Sequence, residues 1–138
     1  MKPKEYLLQA QKARNRYSRA LEDIERIRTL AEGVKAIRYD KDNVQSSPDP
    51  DRFAEYMARL DEAETRAMKA ADEYLTWYTT LREQIDSIEP EIYSDILNLR
   101  YIQMMPLWKI ADETGYTIRH VTRLHGYALA AFGRKYVL

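Results

Sequence analysis

Arg119, His120, Thr122 and Arg123 fall within a five-residue stretch and place two guanidinium forks, an imidazole and a hydroxyl close together. A planar fork matches the paired acceptors of a guanine edge or the oxygens of a phosphate, and the ring and hydroxyl act as adjustable hydrogen-bonding neighbours. This is the chemistry of recognition, not of bond-making. The rest of the chain offers little for catalysis: no cysteine, two histidines, no glycine-rich phosphate loop and no Glu-x-x-His. The acidic residues between 51 and 89 alternate with bases or lie off the apolar seam, so no buried carboxylate pair is expected. His120 and His125 are five apart and fall on different helix faces, which disfavours a zinc pair. No catalytic residue, metal, cofactor or enzymatic activity is expected.

The elements that must position these groups are legible in Pro106 to Gly126, PLWKIADETGYTIRHVTRLHG. A helix-turn-helix needs a small residue where its helices cross, a residue tolerant of positive φ in the turn, and a branched apolar residue locking the second helix. Ala111, Gly115 and Val121 supply these at the right spacing, with Ile110, Ile118 and Leu124 filling inward positions. If Ile118, Val121, Leu124 and Ala128 face inward, the second helix presents Arg119, His120, Thr122, Arg123 and Tyr127 outward, its first turn toward a major groove. Thr117 caps that helix, and the free N–H groups there attract an anion. Lys109, Arg134 and Lys135 are expected to meet phosphates. Gly126 inside a helix costs about 1 kcal/mol relative to alanine, which suggests a close backbone approach or a kink. Ahead of this unit, residues 90–102 read as a support helix carrying Ile92, Ile96, Leu97, Leu99 and Ile102, with Pro90 in its first turn. Pro106 opens the next helix without a side-chain cap.

Upstream lies a long hairpin. Tyr6, Ala10, Ala13, Tyr17, Leu21, Ile24, Ile27, Ala31 and Val34 recur at steps of three and four, predicting a helix from Lys4 to Ile37. Residues 38–50 form the linker, with Asp49 as N-cap and Pro50 as first helical residue. Phe53, Tyr56, Met57, Leu60, Ala63, Ala67, Ala70, Tyr74, Trp77, Leu81, Ile85 and Ile88 continue the apolar line. The two helices pair antiparallel if Ile37 lies opposite Phe53, setting Leu21 and Ile24 against Ala67 and Ala70, Leu30 against Leu60, and Arg26 and Arg28 near Glu62 and Glu64. Charge agrees: residues 1–37 hold nine basic and five acidic groups, and residues 51–89 five basic and ten acidic. The hairpin leaves Tyr74, Trp77, Tyr78 and Leu81 as an interface that must be covered, by the C-terminal domain, a partner or a second copy. A homodimer is expected, because a single helix-turn-helix has a small footprint.

The chain as a whole, 138 residues with 22 basic and 22 acidic groups, is therefore read as all-α: a long antiparallel two-helix coiled-coil hairpin (1–88) followed by a three-helix helix-turn-helix domain (89–138). No apolar run is long enough for a signal peptide or membrane span, and with no cysteine the expected setting is the cytoplasm, without membrane association.

Residues 92–132, IYSDILNLRYIQMMPLWKIADETGYTIRHVTRLHGYALAAF, resemble region four of bacterial sigma factors: a leucine-rich support helix ending in Arg-Tyr-Ile, then W-K-I-A, a glycine turn, V-x-R-L and a closing Ala-Leu. With its N-terminal hairpin, the chain is similar to the ArpU-like and RinA-like late transcription activators of phages. The resemblance implies transcription regulation of phage or prophage genes at promoters in a host bacterial cytoplasm, with contact to RNA polymerase. It makes Arg119, Thr122 and Arg123 the groove-facing residues and Lys109 a backbone contact. Two alternatives remain open: a packaging-DNA binder like a phage terminase small subunit, and a helical protein-interaction module that does not bind DNA.

Overall fold

Pro3 and the run of apolar and charged residues behind it start the chain as helix, and every regular element among the described residues is helical. The computed structural model describes residues 1–40 and 50–136, which carry no strand. A first helix α1 (Pro3–Leu7) is followed after Leu8 by α2 (Gln9–Asp40). Leu8 stays in right-handed helical geometry, with its N–H on the Lys4 carbonyl, so the break is slight. The second long helix α3 (Pro50–Asp86) begins at the expected proline. Asp49, the expected cap, and most of the expected linker lie outside the described residues. No glycine or proline interrupts 51–86, and six alanines between 54 and 71 favour helix there. After α3 the Ser87 hydroxyl donates to the Gln84 carbonyl. Then come α4 (Glu91–Leu97), a π-helical turn (Asn98–Ile102), α5 (Leu107–Thr114) and α6 (Ile118–Tyr136). Pro90, expected in the first turn of the support helix, is instead the residue just before it.

By packing, the chain divides into two units. One spans Asn15–Asp72 and consists of parts of α2 and α3. Ile24, Ala63 and Ala67 are buried together, with Ala20, Ile27 and Leu60 around them, and Arg28 reaches Glu64 at 3.5 Å. Ile24 with Ala67, and Arg28 near Glu64, are pairs that the antiparallel register predicted, whereas the expected Leu30–Leu60 pair is not buried. Leu21, Leu30, Phe53 and Met57, however, are exposed instead of lying in the seam. Two helices meet along one narrow line, and an apolar arc wider than that line cannot be covered by a single partner helix.

The other unit is Met1–Arg14 with Glu73–Leu138, whereas apolar periodicity set the boundary near residue 88. Its larger core joins Leu7 and Ala10 to Leu81 and Ile85 of the α3 end, to Ile88 just beyond it, to Leu97, Tyr101 and Ile102, and to Ala128 and Phe132 of α6. The Tyr6 hydroxyl donates to Gln84 Oε1 at 2.9 Å, and its ring stands edge-on to Trp77. Of the four residues expected at an interface, Leu81 is fully buried, Tyr74 and Trp77 are half-buried, and Tyr78 alone is exposed. The start of the chain and α6 cover most of what the hairpin pattern left uncovered. A smaller core, Ile96, Ile110, Ala111 and Val121 with Leu99, Met105, Leu107 and Leu124 around it, holds α4, α5 and α6 together.

Candidate nucleic-acid interface

The helix-turn-helix is built from the turn outward. Pro106 precedes α5 without a side-chain cap, as its ring requires, and the first turn closes through Ile110 N–H on the Pro106 carbonyl. Gly115 ends α5 with φ 76° and ψ 4°, its N–H on the Ala111 carbonyl at 3.0 Å. A side chain there would force a residue with a Cβ into the left-handed region. Two residues on, Thr117 caps α6, its Oγ1 accepting the His120 N–H at 3.1 Å. Ala111 and Val121 are buried at the crossing, so the three pattern-defining residues do the jobs their types suggest.

The inward face of α6 differs from the expected one. Val121 and Ala128 are buried and Leu124 half-buried, but Ile118 is 54% exposed. Ile118 lies in the first turn, where side chains lean back toward the helix N-terminus, past the edge of the small core. The buried line is Val121, His125, Ala128 and Phe132, at steps of four, three and four. Gly126, suspected of a close approach, has nothing within 4 Å of where a Cβ would sit. It lies on the outer face.

That outer face carries Arg119, His120, Thr122, Arg123 and Tyr127, all exposed. Arg119 and Arg123 stand one turn apart, and α6 contains no carboxylate to pair with them. His120 is set edge-on against Tyr116, ring centroids 5.0 Å apart. The Thr122 hydroxyl donates back to the Ile118 carbonyl at 2.8 Å, which leaves it lone pairs to offer. Lys109 is exposed on α5 beside Asp112 and Glu113, so that helix is net acidic where α6 is strongly basic. Arg134 is exposed but lies roughly 22 Å along α6 from Arg119, too far for one groove. Lys135 donates to the Ser87 carbonyl at 2.8 Å and is thereby held on its own unit. The nine expected contacts thus separate into a head of Thr117, Arg119, His120, Thr122, Arg123 and Tyr127, one cation on α5, and two distant tail cations.

Beneath the head lies a pair that the sequence pattern did not single out. His125 is buried, and its Nε2 shares a 2.7 Å hydrogen bond with the Tyr101 hydroxyl while the two rings stack. Burial, and then the charges of Arg100 and Lys4, lower the imidazole to about 4, and burial pushes the Tyr101 phenol up to about 12. Both groups are neutral at ordinary pH. The available signal was spacing, since Val121, His125, Ala128 and Phe132 form a cleaner inward line than one beginning at Ile118. At the other end of the π turn, Asn98 Nδ2 donates to Asp86 at 3.0 Å. This bond, and then Arg82, hold the Asp86 carboxyl below its usual range against the opposing effect of burial. Among the described residues no group of His, Asp and Glu is arranged to hold a metal ion, and no helix is long and apolar enough to cross a membrane.

In comparisons with known proteins, no family model, no curated protein and no solved structure matches this chain.

Proposed function

We propose that the chain is a sequence-specific DNA-binding transcriptional regulator, with α6 as the helix that enters a major groove. The observation that carries this reading is the capped, exposed first turns of α6, where Arg119 and Arg123 stand free of carboxylates on a helix-turn-helix held by its own small core. Arg119 and Arg123 contact guanine edges or phosphates, His120 and Thr122 adjust to neighbouring bases, and Tyr127 packs on the groove wall. Lys109 and Arg134 serve phosphates. Lys135 joins them by giving up its bond to Ser87.

The resemblance to sigma region four and to phage late activators adds to the reading a phage or prophage origin, action at promoters in a bacterial cytoplasm and contact with RNA polymerase, and the small footprint of one helix-turn-helix adds a dimer on paired half-sites. A second reading, a protein-binding module, draws on exposed Trp108 and Ile118 beside the basic face. Selection of genomic fragments by the purified protein separates the two. Enrichment of a common site, with affinity falling steeply as salt rises, is the result expected for the DNA reading. Retention of no fragment at low salt refutes it.

A further inference from the structure

We propose that the exposed apolar flank of the Asn15–Asp72 unit is the surface on which a second copy of this chain docks, each copy inserting Met68 into a cleft of the other. The inference rests on the packing of this unit and is independent of the DNA reading. Among the described residues of the unit, the ones buried together are Ile24, Ala63 and Ala67, and two of these are alanines. Beside that seam α3 carries a second line, Phe53, Met57, Glu64, Met68 and Ala71, at steps of four, seven, four and three. Phe53 is 52%, Met57 46% and Met68 74% exposed, and Leu21 of α2 on the same flank is 42% exposed. A line at such spacing is what a further helix packs against.

The shape of the flank selects a second copy as occupant. Tyr17, Leu21, Ile24, Glu64, Ala67, Met68 and Ala71 line a cleft of about 330 Å³. Its floor is made low by Ala67 and Ala71, and Met68 stands at its side. A knob and a hole on one face satisfy each other when the face meets itself across a two-fold axis. An unbranched methionine adapts readily to such a hole. Charge favours one arrangement. Within the unit, residues 15–37 hold five basic and four acidic groups and residues 50–72 four basic and six acidic. Setting α2 of one copy beside α3 of the other joins unlike signs, while pairing like helices opposes like signs.

The test is the mass of the full-length chain in solution without DNA, by light scattering after size exclusion. The expected mass is about 33 kDa, twice 16.3 kDa. Met68→Glu is expected to weaken self-association at least about tenfold with the helical circular dichroism unchanged, because Met68 touches solvent. Should that variant lose helix, Met57→Glu takes its place with the same expectation. The chain has no cysteine, so Leu21→Cys and Met68→Cys chains can be mixed and oxidised. The mixed disulfide is expected to exceed the Leu21→Cys homodimer. A parent mass of one copy, or of more than two, overturns the proposal, as does a glutamate variant that associates like the parent or a mixture that forms no mixed disulfide. A monomer that still binds a selected DNA site refutes this surface together with the proposed dimer and leaves the DNA-binding reading standing.

Discussion

Arg123 and Lys109 differ in what they can read, and this difference gives the sharpest residue-scale expectation. A guanidinium reaching a base edge discriminates between sequences, whereas an ammonium on a phosphate does not. Arg123→Ala is expected to cost about 1–3 kcal/mol on the selected site with far less effect on unrelated DNA. Lys109→Ala is expected to weaken all sequences alike and to flatten the salt slope by about one. Titration binding at several salt concentrations measures both, and two variants that bind like the parent would remove Lys109 of α5 and Arg123 of α6 from the interface. His125 carries a separate expectation. Its folded value of about 4 lies below the ordinary 6.5. Between those values the unfolded ring takes a proton that the folded ring refuses, so stability falls as pH drops through this window and is level above it. The loss is of the order of 1–3 kcal/mol. Urea midpoints of the parent and of His125→Gln, compared from pH 7 down to 4.5, isolate it, since carboxylate effects are common to both. Parallel curves would mean that the imidazole is not held neutral.

At the scale of elements, two glycines of the helix-turn-helix behave oppositely. Gly115 occupies a left-handed turn at φ 76°, and Gly115→Ala is expected to destabilise by about 1 kcal/mol. Gly126 is an ordinary helical position with open space around it, and Gly126→Ala is expected to stabilise by about 0.5–1 kcal/mol. Thermal unfolding of the pair should move Tm in opposite directions. These cases also mark how far the sequence could be read. Ala111, Gly115, Thr117 and Val121 were legible because each role depends on local chemistry: crossing distance, turn geometry, cap and branching. The antiparallel pairing of Ile24 with Ala67 was legible because it follows from periodicity. Ile118 was misplaced and His125 overlooked because an inward face depends on where the neighbouring helix stops, which no periodicity within α6 contains. Gly126 was misread for the same reason, since a missing Cβ signals close approach only if something approaches. The π turn at Asn98–Ile102 lay beyond reach altogether. It shifts the phase of an apolar line by tertiary demand, here the burial of Tyr101 against His125.

At the scale of the molecule, the sequence boundary near residue 88 and the packing disagree about what the C-terminal unit contains. Leu7, Leu81 and Ile85 are as fully buried as Phe132, in one core. Each such side chain is worth about 1.5–3 kcal/mol of burial, so removing them takes away more than a small domain can lose. A fragment of residues 89–138 is therefore expected to lack a cooperative thermal transition, while the full chain shows one. A sharp transition in the fragment would make the small core of Ile96, Ile110, Ala111 and Val121 sufficient. Contact between Leu7 and Phe132 also has a consequence in time. A ribosome adding 5–20 residues per second needs roughly 6–25 s to cover the span between them. During that interval Leu7 and the end of α3 have no Phe132 to close upon, although α2 and α3 can already pair. The hairpin is thus free to form during translation, before the unit that carries α6 can close.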